Sequence, residues 1–126
     1  MRAPYRGWFQ VPALELARFY AGALAYVHPA LAEGFGLPML EAMAAGAPVI
    51  ASEESVPGAL RSAALRFPAR DAGALTAAIL GLWDDGVRAQ TLRDEGFVVA
   101  ASLTWDVCAA RTAGVYRELL EERSTR

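Results

Sequence analysis

The stretch His28–Ser52, HPALAEGFGLPMLEAMAAGAPVIAS, decides the architecture. The run that leads into it, ALAYVHP, reads as a short buried strand closed by Pro29. LPMLEAMAAG then reads as a short helix, with Pro38 in its first turn and Gly46 after its last. APVIAS reads as the next strand. Between the first strand and the helix lies a Gly-x-Gly turn, Gly34-Phe35-Gly36, with Glu33 before it and Glu41 after it.

The same alternation continues outward. Upstream, PALELARFYAG begins at Pro12 and stops at Gly22, the pattern of a helix. Downstream, AALRFPA is a weaker third strand. After Asp71, Leu75, Ala78, Ile79 and Leu82 keep one helical face until the stop at Asp84-Asp85-Gly86. Leu92, Gly96, Val99 and Leu103 mark a further helix. Thr104 caps a long last one, with Trp105, Cys108, Thr112, Val115, Leu119 and Leu120 at helical spacing. Trp105 and Tyr116 are expected to pack, and Cys108 to be an inert buried thiol. Strands interleaved with helices of this length predict an α/β fold: a partial Rossmann-like parallel sheet covered by helices. Three or four strand candidates are few for an open sheet, which points to a missing upstream part.

Composition narrows the function classes. The chain has 126 residues, 55% of them hydrophobic, enough for one domain with a real core. Its net charge is −2, and nothing in that balance predicts a nucleic-acid surface. There is no lysine; every basic residue is arginine. Cys108 is the only cysteine and His28 the only histidine, so an internal disulfide and a multi-histidine metal site are both excluded. MRAPYRGWFQ lacks the apolar run of a signal peptide, and no stretch approaches the roughly 20 apolar residues of a membrane span. The expected location is the cytoplasm.

The chemistry concentrates around the two glutamates. A loop that follows a strand sits at the carboxyl end of the sheet, where open α/β sheets bind ligands. Gly34 and Gly36 let the backbone turn and approach a ligand. The helix that starts near Pro38 presents free N–H groups and a positive dipole end, an anion site suited to phosphate. Carboxylates there should meet something other than phosphate. A vicinal diol fits, because a carboxylate accepts two hydrogen bonds at once. Glu41, in the first helical turn among Met39, Leu40, Ala42 and Met43, reads as a buried charge that needs a partner. Sugar, phosphate and ribose in sequence would be the outline of a nucleotide-sugar. A plainer account stands beside this one, in which Glu41 complements the helix dipole and Glu33 is a solvated loop acid. Asp84-Asp85 reads as a solvated helix stop rather than a metal-binding pair. His28 reads as a hydrogen-bonded structural histidine, with a sugar contact as the alternative, and Glu53 and Glu54 read as solvated.

EGFGLPMLEAMAAGAPVIAS resembles the signature of retaining glycosyltransferases of the GT-B fold, glycosyltransferase family 4 (glycosyl transferases group 1). That signature is Glu, seven residues and Glu around Phe-Gly-Leu-Pro, followed by Glu-Ala-Met-Ala-x-Gly-x-Pro-Val-Ile-Ala. GWFQVPALELARFYAGALAYVHPA and LTWDVCAARTAGVYRELL are similar to further family segments, so the resemblance spans nearly the whole chain. It implies that residues 1–126 are a single, partial nucleotide-sugar-binding domain, the second half of the donor-binding domain, with the N-terminal acceptor domain absent.

By the resemblance, Glu33 is the catalytic-site acid that holds donor-sugar hydroxyls, and Glu41 holds the ribose. Backbone N–H groups around Gly34, Phe35, Gly36 and Leu37 contact the sugar and diphosphate, and Ser52 and the loop to Pro57 line the nucleotide pocket. The donor, such as a UDP- or GDP-sugar, is a substrate; no metal or other cofactor is required. Ala30 stands where the family often has serine and Gly58 where it often has glutamate. The family's diphosphate-neutralising Arg and Lys are not matched, and no arginine is apparent near the motif. The chain is therefore expected to be inactive alone, working with a partner polypeptide that supplies the acceptor domain. The alternatives are a non-catalytic nucleotide or sugar-phosphate binding module, or a vestigial fragment that self-associates.

Overall fold

The computed structural model describes residues 11–124. The N-terminal stretch read for a signal peptide and the Gly7–Gln10 start of the family-like run lie outside the described residues, as do the last two positions of the tail. In chain order the elements are α1 (Ala13–Gly22), β1 (Tyr26–His28), α2 (Leu37–Ala44), β2 (Val49–Ser52), a 3₁₀ segment (Gly58–Ala63), β3 (Ala64–Phe67), α3 (Ala72–Asp84), α4 (Gly86–Ser102) and α5 (Trp105–Ser124). The three strands pair in parallel in the order β1-β2-β3. Tyr26 lies opposite Val49, and Val49 opposite Ala64, so His28, Ser52 and Phe67 share the carboxyl edge. This is the parallel sheet covered by helices that the sequence predicts.

Strand alternation builds two cores. β2 is buried along its whole length, as a central parallel strand must be. Val49 and Ala51 face a layer formed by Met39, Ala42 and Met43 of α2 together with Val56 and Leu60. Ile50 points the other way, toward Phe67, Leu82 and Leu92. Leu75, Ala78, Ile79 and Leu82 of α3 do keep one face, and it lies on this second layer. Each fully buried methionine contributes about 1.5–3 kcal/mol by removing apolar surface from water.

α4 feeds both layers: Ala89 and Leu92 enter the second, while Val99, Ala100 and, just past its end, Leu103 pack on the first. A side chain at Gly96 would begin 3.3 Å from Met43 Cβ, so glycine sets how closely α4 approaches α2. Gly46 ends α2 at a left-handed φ of 84°, and Arg93 of α4 donates from Nε to its carbonyl at 2.9 Å. Three of the helix starts carry side-chain caps, Thr104 among them as expected. Asp71 accepts from the Ala74 N–H at 2.8 Å, Asp85 from Arg88 at 2.9 Å, and Thr104 Oγ1 from Val107 at 3.2 Å. Asp85 is thus a cap for α4, and both it and Asp84 are exposed.

α5 departs from expectation. It forms over the predicted span but buries no residue. Trp105 is 78% exposed and Tyr116 65% exposed, and Cys108 is exposed as well. The apolar spacing is there, but nothing among the described residues covers it. Among the described residues no helix is long and apolar enough to cross a membrane.

Candidate functional site

The carboxyl ends of β1 and β2 and the start of α2 converge. Gly36 occupies the N-cap of α2 at a left-handed φ of 77°. Its carbonyl opens the helix by accepting from the Leu40 N–H at 3.1 Å. The left-handed backbone favours glycine, and a Cβ there would also crowd Met39 Cε at 2.5 Å and Pro57 Cγ at 3.3 Å. Gly34 differs: its φ is not left-handed, and no heavy atom lies within 4 Å of where a Cβ would be. The sharp turn sits at Gly36 alone. Downstream of it, the first turn of α2 presents backbone N–H groups without intrahelical acceptors.

Glu33 is oriented by two contacts. Oε1 accepts from the Gly34 N–H at 2.9 Å, and Oε2 lies 3.1 Å from His28 Nε2. The Glu33 side chain is 28% exposed, the imidazole 13%. On its other side His28 Nδ1 lies 3.0 Å from the Tyr26 hydroxyl. Tyr26 in turn meets Tyr20 edge-on, with ring centroids 5.4 Å apart. Burial first, then Tyr20, Glu33 and Glu41, pushes the Tyr26 phenol above its ordinary value. Burial and then Glu41 do the same for Tyr20. Both phenols are therefore neutral near neutral pH.

Two expectations are corrected here. Glu41 is the fifth residue of α2, beyond its first turn, and it is exposed. Its apolar sequence neighbours diverge around the helix, so Met39, Ala42 and Met43 turn inward while Glu41 turns out. Its carboxylate is exposed at a cleft rather than a buried charge. Ser52 is fully buried, and its hydroxyl is already committed. It donates to the Ala30 carbonyl and lies 2.7 Å from Ser55 Oγ. Its side chain pins the loop after β1 to the loop after β2. The position read as lacking a serine, Ala30, thus supplies a carbonyl to this tie.

Glu41 stands at the rim of a cleft of about 590 Å³ between α2 and the α4–α5 junction. Phe35, Leu37, Leu40 and Ala44 extend the α2 wall; Leu103, Trp105, Cys108, Arg111 and Thr112 are among those opposite. The lining is largely apolar, with Glu41 and Arg111 as its charged members. Arg111 corrects the view that no arginine lies near the motif. Nothing in the sequence marks it, because only the α4–α5 turn brings it over a loop far upstream. Tyr26 was equally unmarked, although strand alternation puts it on the same face as His28.

Glu53 and Glu54 are exposed, as expected, and serve local structure. Glu53 Oε1 pairs with Arg61 at 3.0 Å, and Glu54 Oε2 accepts from the Ala69 N–H at 2.9 Å. Among the described residues no group of three or more His, Cys, Asp or Glu side chains could hold a metal ion.

Comparison with known proteins bears on the family and the fold. Residues 5–85 match the family model described as glycosyl transferases group 1. The O-antigen chain mannosyltransferase B of Escherichia coli is 36% identical over 124 residues, covering 94% of this chain and 32% of that protein. A D-inositol 3-phosphate glycosyltransferase of Acidothermus cellulolyticus is 35% identical over 122 residues, covering 91% of this chain and 26% of its own. The solved structure of sucrose-phosphate synthase from Thermosynechococcus elongatus, a GT-B enzyme, superposes with a TM-score of 0.76 at 36% identity, over 90% of this chain and 29% of that one. The chain thus spans only about a third or less of the length of these relatives, and it belongs to the glycosyl transferases group 1 family, with the fold of a GT-B glycosyltransferase.

Proposed function

We propose that this chain forms the donor side of a retaining glycosyltransferase and holds a nucleotide-sugar across the carboxyl edge of its sheet. The observation that carries this is the pair of carboxylates on either side of the left-handed Gly36 turn. Glu33 is oriented by His28 and Gly34, and Glu41 is exposed at the cleft rim. Glu33 accepts hydroxyls of the donor sugar, and Glu41 accepts the ribose diol. The N–H groups from Phe35 to Leu37 and the dipole of α2 receive the diphosphate, while the Gly34 N–H stays on Glu33 Oε1. Pro57 and the loop after the buried Ser52 support the nucleotide from the other side.

In the parent reaction the bond from the sugar C1 to the diphosphate oxygen breaks, a bond from C1 to the acceptor oxygen forms on the same face, and the acceptor's hydroxyl proton passes to the leaving diphosphate. Negative charge develops on the leaving diphosphate, and the first turn of α2 is aimed at it. No metal or other cofactor enters this scheme. Acceptor binding requires groups beyond these residues, because an acceptor must be positioned before transfer can occur. These 126 residues on their own are therefore expected to bind donor without turning it over, with a partner polypeptide or further chain supplying the acceptor side.

Calorimetric titration with UDP, GDP and ADP tests this. One nucleotide is expected to bind, and Glu41→Ala to weaken it about tenfold or more, the effect of losing hydrogen bonds to a charged group. Failure of all three to bind the folded protein at millimolar concentration would overturn the proposal.

A further inference from the structure

We propose that Tyr26 and His28 are positioning residues for Glu33, a relay that fixes the carboxylate before any sugar arrives. This rests on Glu33 as the donor-sugar contact. The relay starts in the strand. Residues two apart on β1 share a face, so Tyr26 and His28 stand side by side, and the loop after Pro29 returns Glu33 to the same place.

The donors and acceptors close only one way around a neutral imidazole. Opposite the Glu33 carboxylate, at 3.1 Å from Oε2, His28 Nε2 must carry the proton. Nδ1 is then an acceptor, and the Tyr26 hydroxyl, 3.0 Å away, donates to it. The other tautomer would set a nitrogen lone pair against a carboxylate oxygen and leave the phenol without this acceptor. The base of the relay is held firmly. Tyr20 stands against Tyr26 edge-on at 87°, and the Tyr26 N–H donates to the Pro48 carbonyl at 2.8 Å. The phenol is a donor at neutral pH, as an ordinary tyrosine is, and burial pushes its pKa further up.

The consequence for the carboxylate is specific. Gly34 N–H holds Oε1 and His28 holds Oε2, so the plane of the group is set. Each oxygen keeps lone-pair capacity for a sugar hydroxyl. A glutamate on a loop would otherwise lose rotamer freedom on binding, at a cost of affinity. Tyr26, which does not reach the ligand in this scheme, thereby sets how well the sugar is held.

The experiment has two arms on the intact chain. His28 is the only histidine, so its two ring nitrogens give unambiguous ¹⁵N signals. The wild type should show the Nε2–H tautomer alone, and Tyr26→Phe and Glu33→Gln should each shift it toward a mixture. A mixture in the wild type, or no change in either variant, overturns the relay. The second arm measures the affinity gained from the sugar, as UDP-glucose against UDP and GDP-mannose against GDP. Tyr26→Phe, which keeps the ring and loses only the hydroxyl, should reduce that gain about three- to tenfold, the range of one net hydrogen bond, while the bare nucleotide changes less. A gain untouched by Tyr26→Phe but abolished by Glu33→Gln overturns the relay and leaves the Glu33 assignment standing. A gain that survives Glu33→Gln overturns that assignment itself, and the relay's role with it.

Discussion

α2 and α5 carry the same kind of apolar spacing and have opposite fates. α2 is eight residues long, and three of them are buried: Met39, Ala42 and Met43. α5 is twenty residues long and buries none, leaving Trp105, Val115, Tyr116, Leu119 and Leu120 exposed. Hydrophobic periodicity reports that a helix has a face. It does not report what the face meets. α2 is flanked in sequence by the two strands it covers, so its partner is local and its burial follows from chain connectivity. α5 follows the last packed helix and has no such neighbour. The candidate site sorts the same way: the two glutamates and the glycine turn belong to the α2 unit, and of α5 only the first turns line the cleft with Glu41.

This contrast can be broken by substitution. Met43→Ala removes a side chain that is 1% exposed and touches both the sheet layer and Gly96. It should cost about 2–5 kcal/mol of stability in urea unfolding, the range for emptying a core site. Ser52→Ala should cost about 1–3 kcal/mol by removing the donor to the Ala30 carbonyl, while the Ser55 hydroxyl keeps its bond to the Ser52 carbonyl. It should also loosen the two loops against each other, visible as faster amide exchange after β1. Leu119→Ala and Trp105→Ala on α5 should change stability by no more than about 0.5 kcal/mol, as exposed positions do. A loss of several kcal/mol at Leu119 would show that α5 is packed and that the contrast is wrong.

Much of this was legible before the structure. The cap at Thr104, the inward face of α3 and the parallel strands all follow from local chemistry and period. What was not legible depended on direction or on distance along the chain. Glu41 looked buried because its sequence neighbours are apolar, but each step along a helix turns about 100°, and the charge points away from Met39 and Met43. Cys108 misled in the same way, as did Trp105 and Tyr116, where the face exists without a partner. Arg111 was invisible because only the α4–α5 junction brings it to the cleft. Ser52 was correctly located at a strand end, yet its buried hydroxyl faces inward to the loops. The Tyr26–His28 contact is local and could have been read from strand period. Its connection to Glu33 could not, because the path of the loop decides it.

The most direct test of the central claim is an amide chemical-shift map of the ¹⁵N-labelled chain titrated with the nucleotide that binds. The account predicts shifts at Gly34–Leu37, Glu41 and the Ser52–Pro57 loop, with the far turns of α5 from Val115 onward silent. Shifts centred on α5, with the Gly36 turn unmoved, would contradict it.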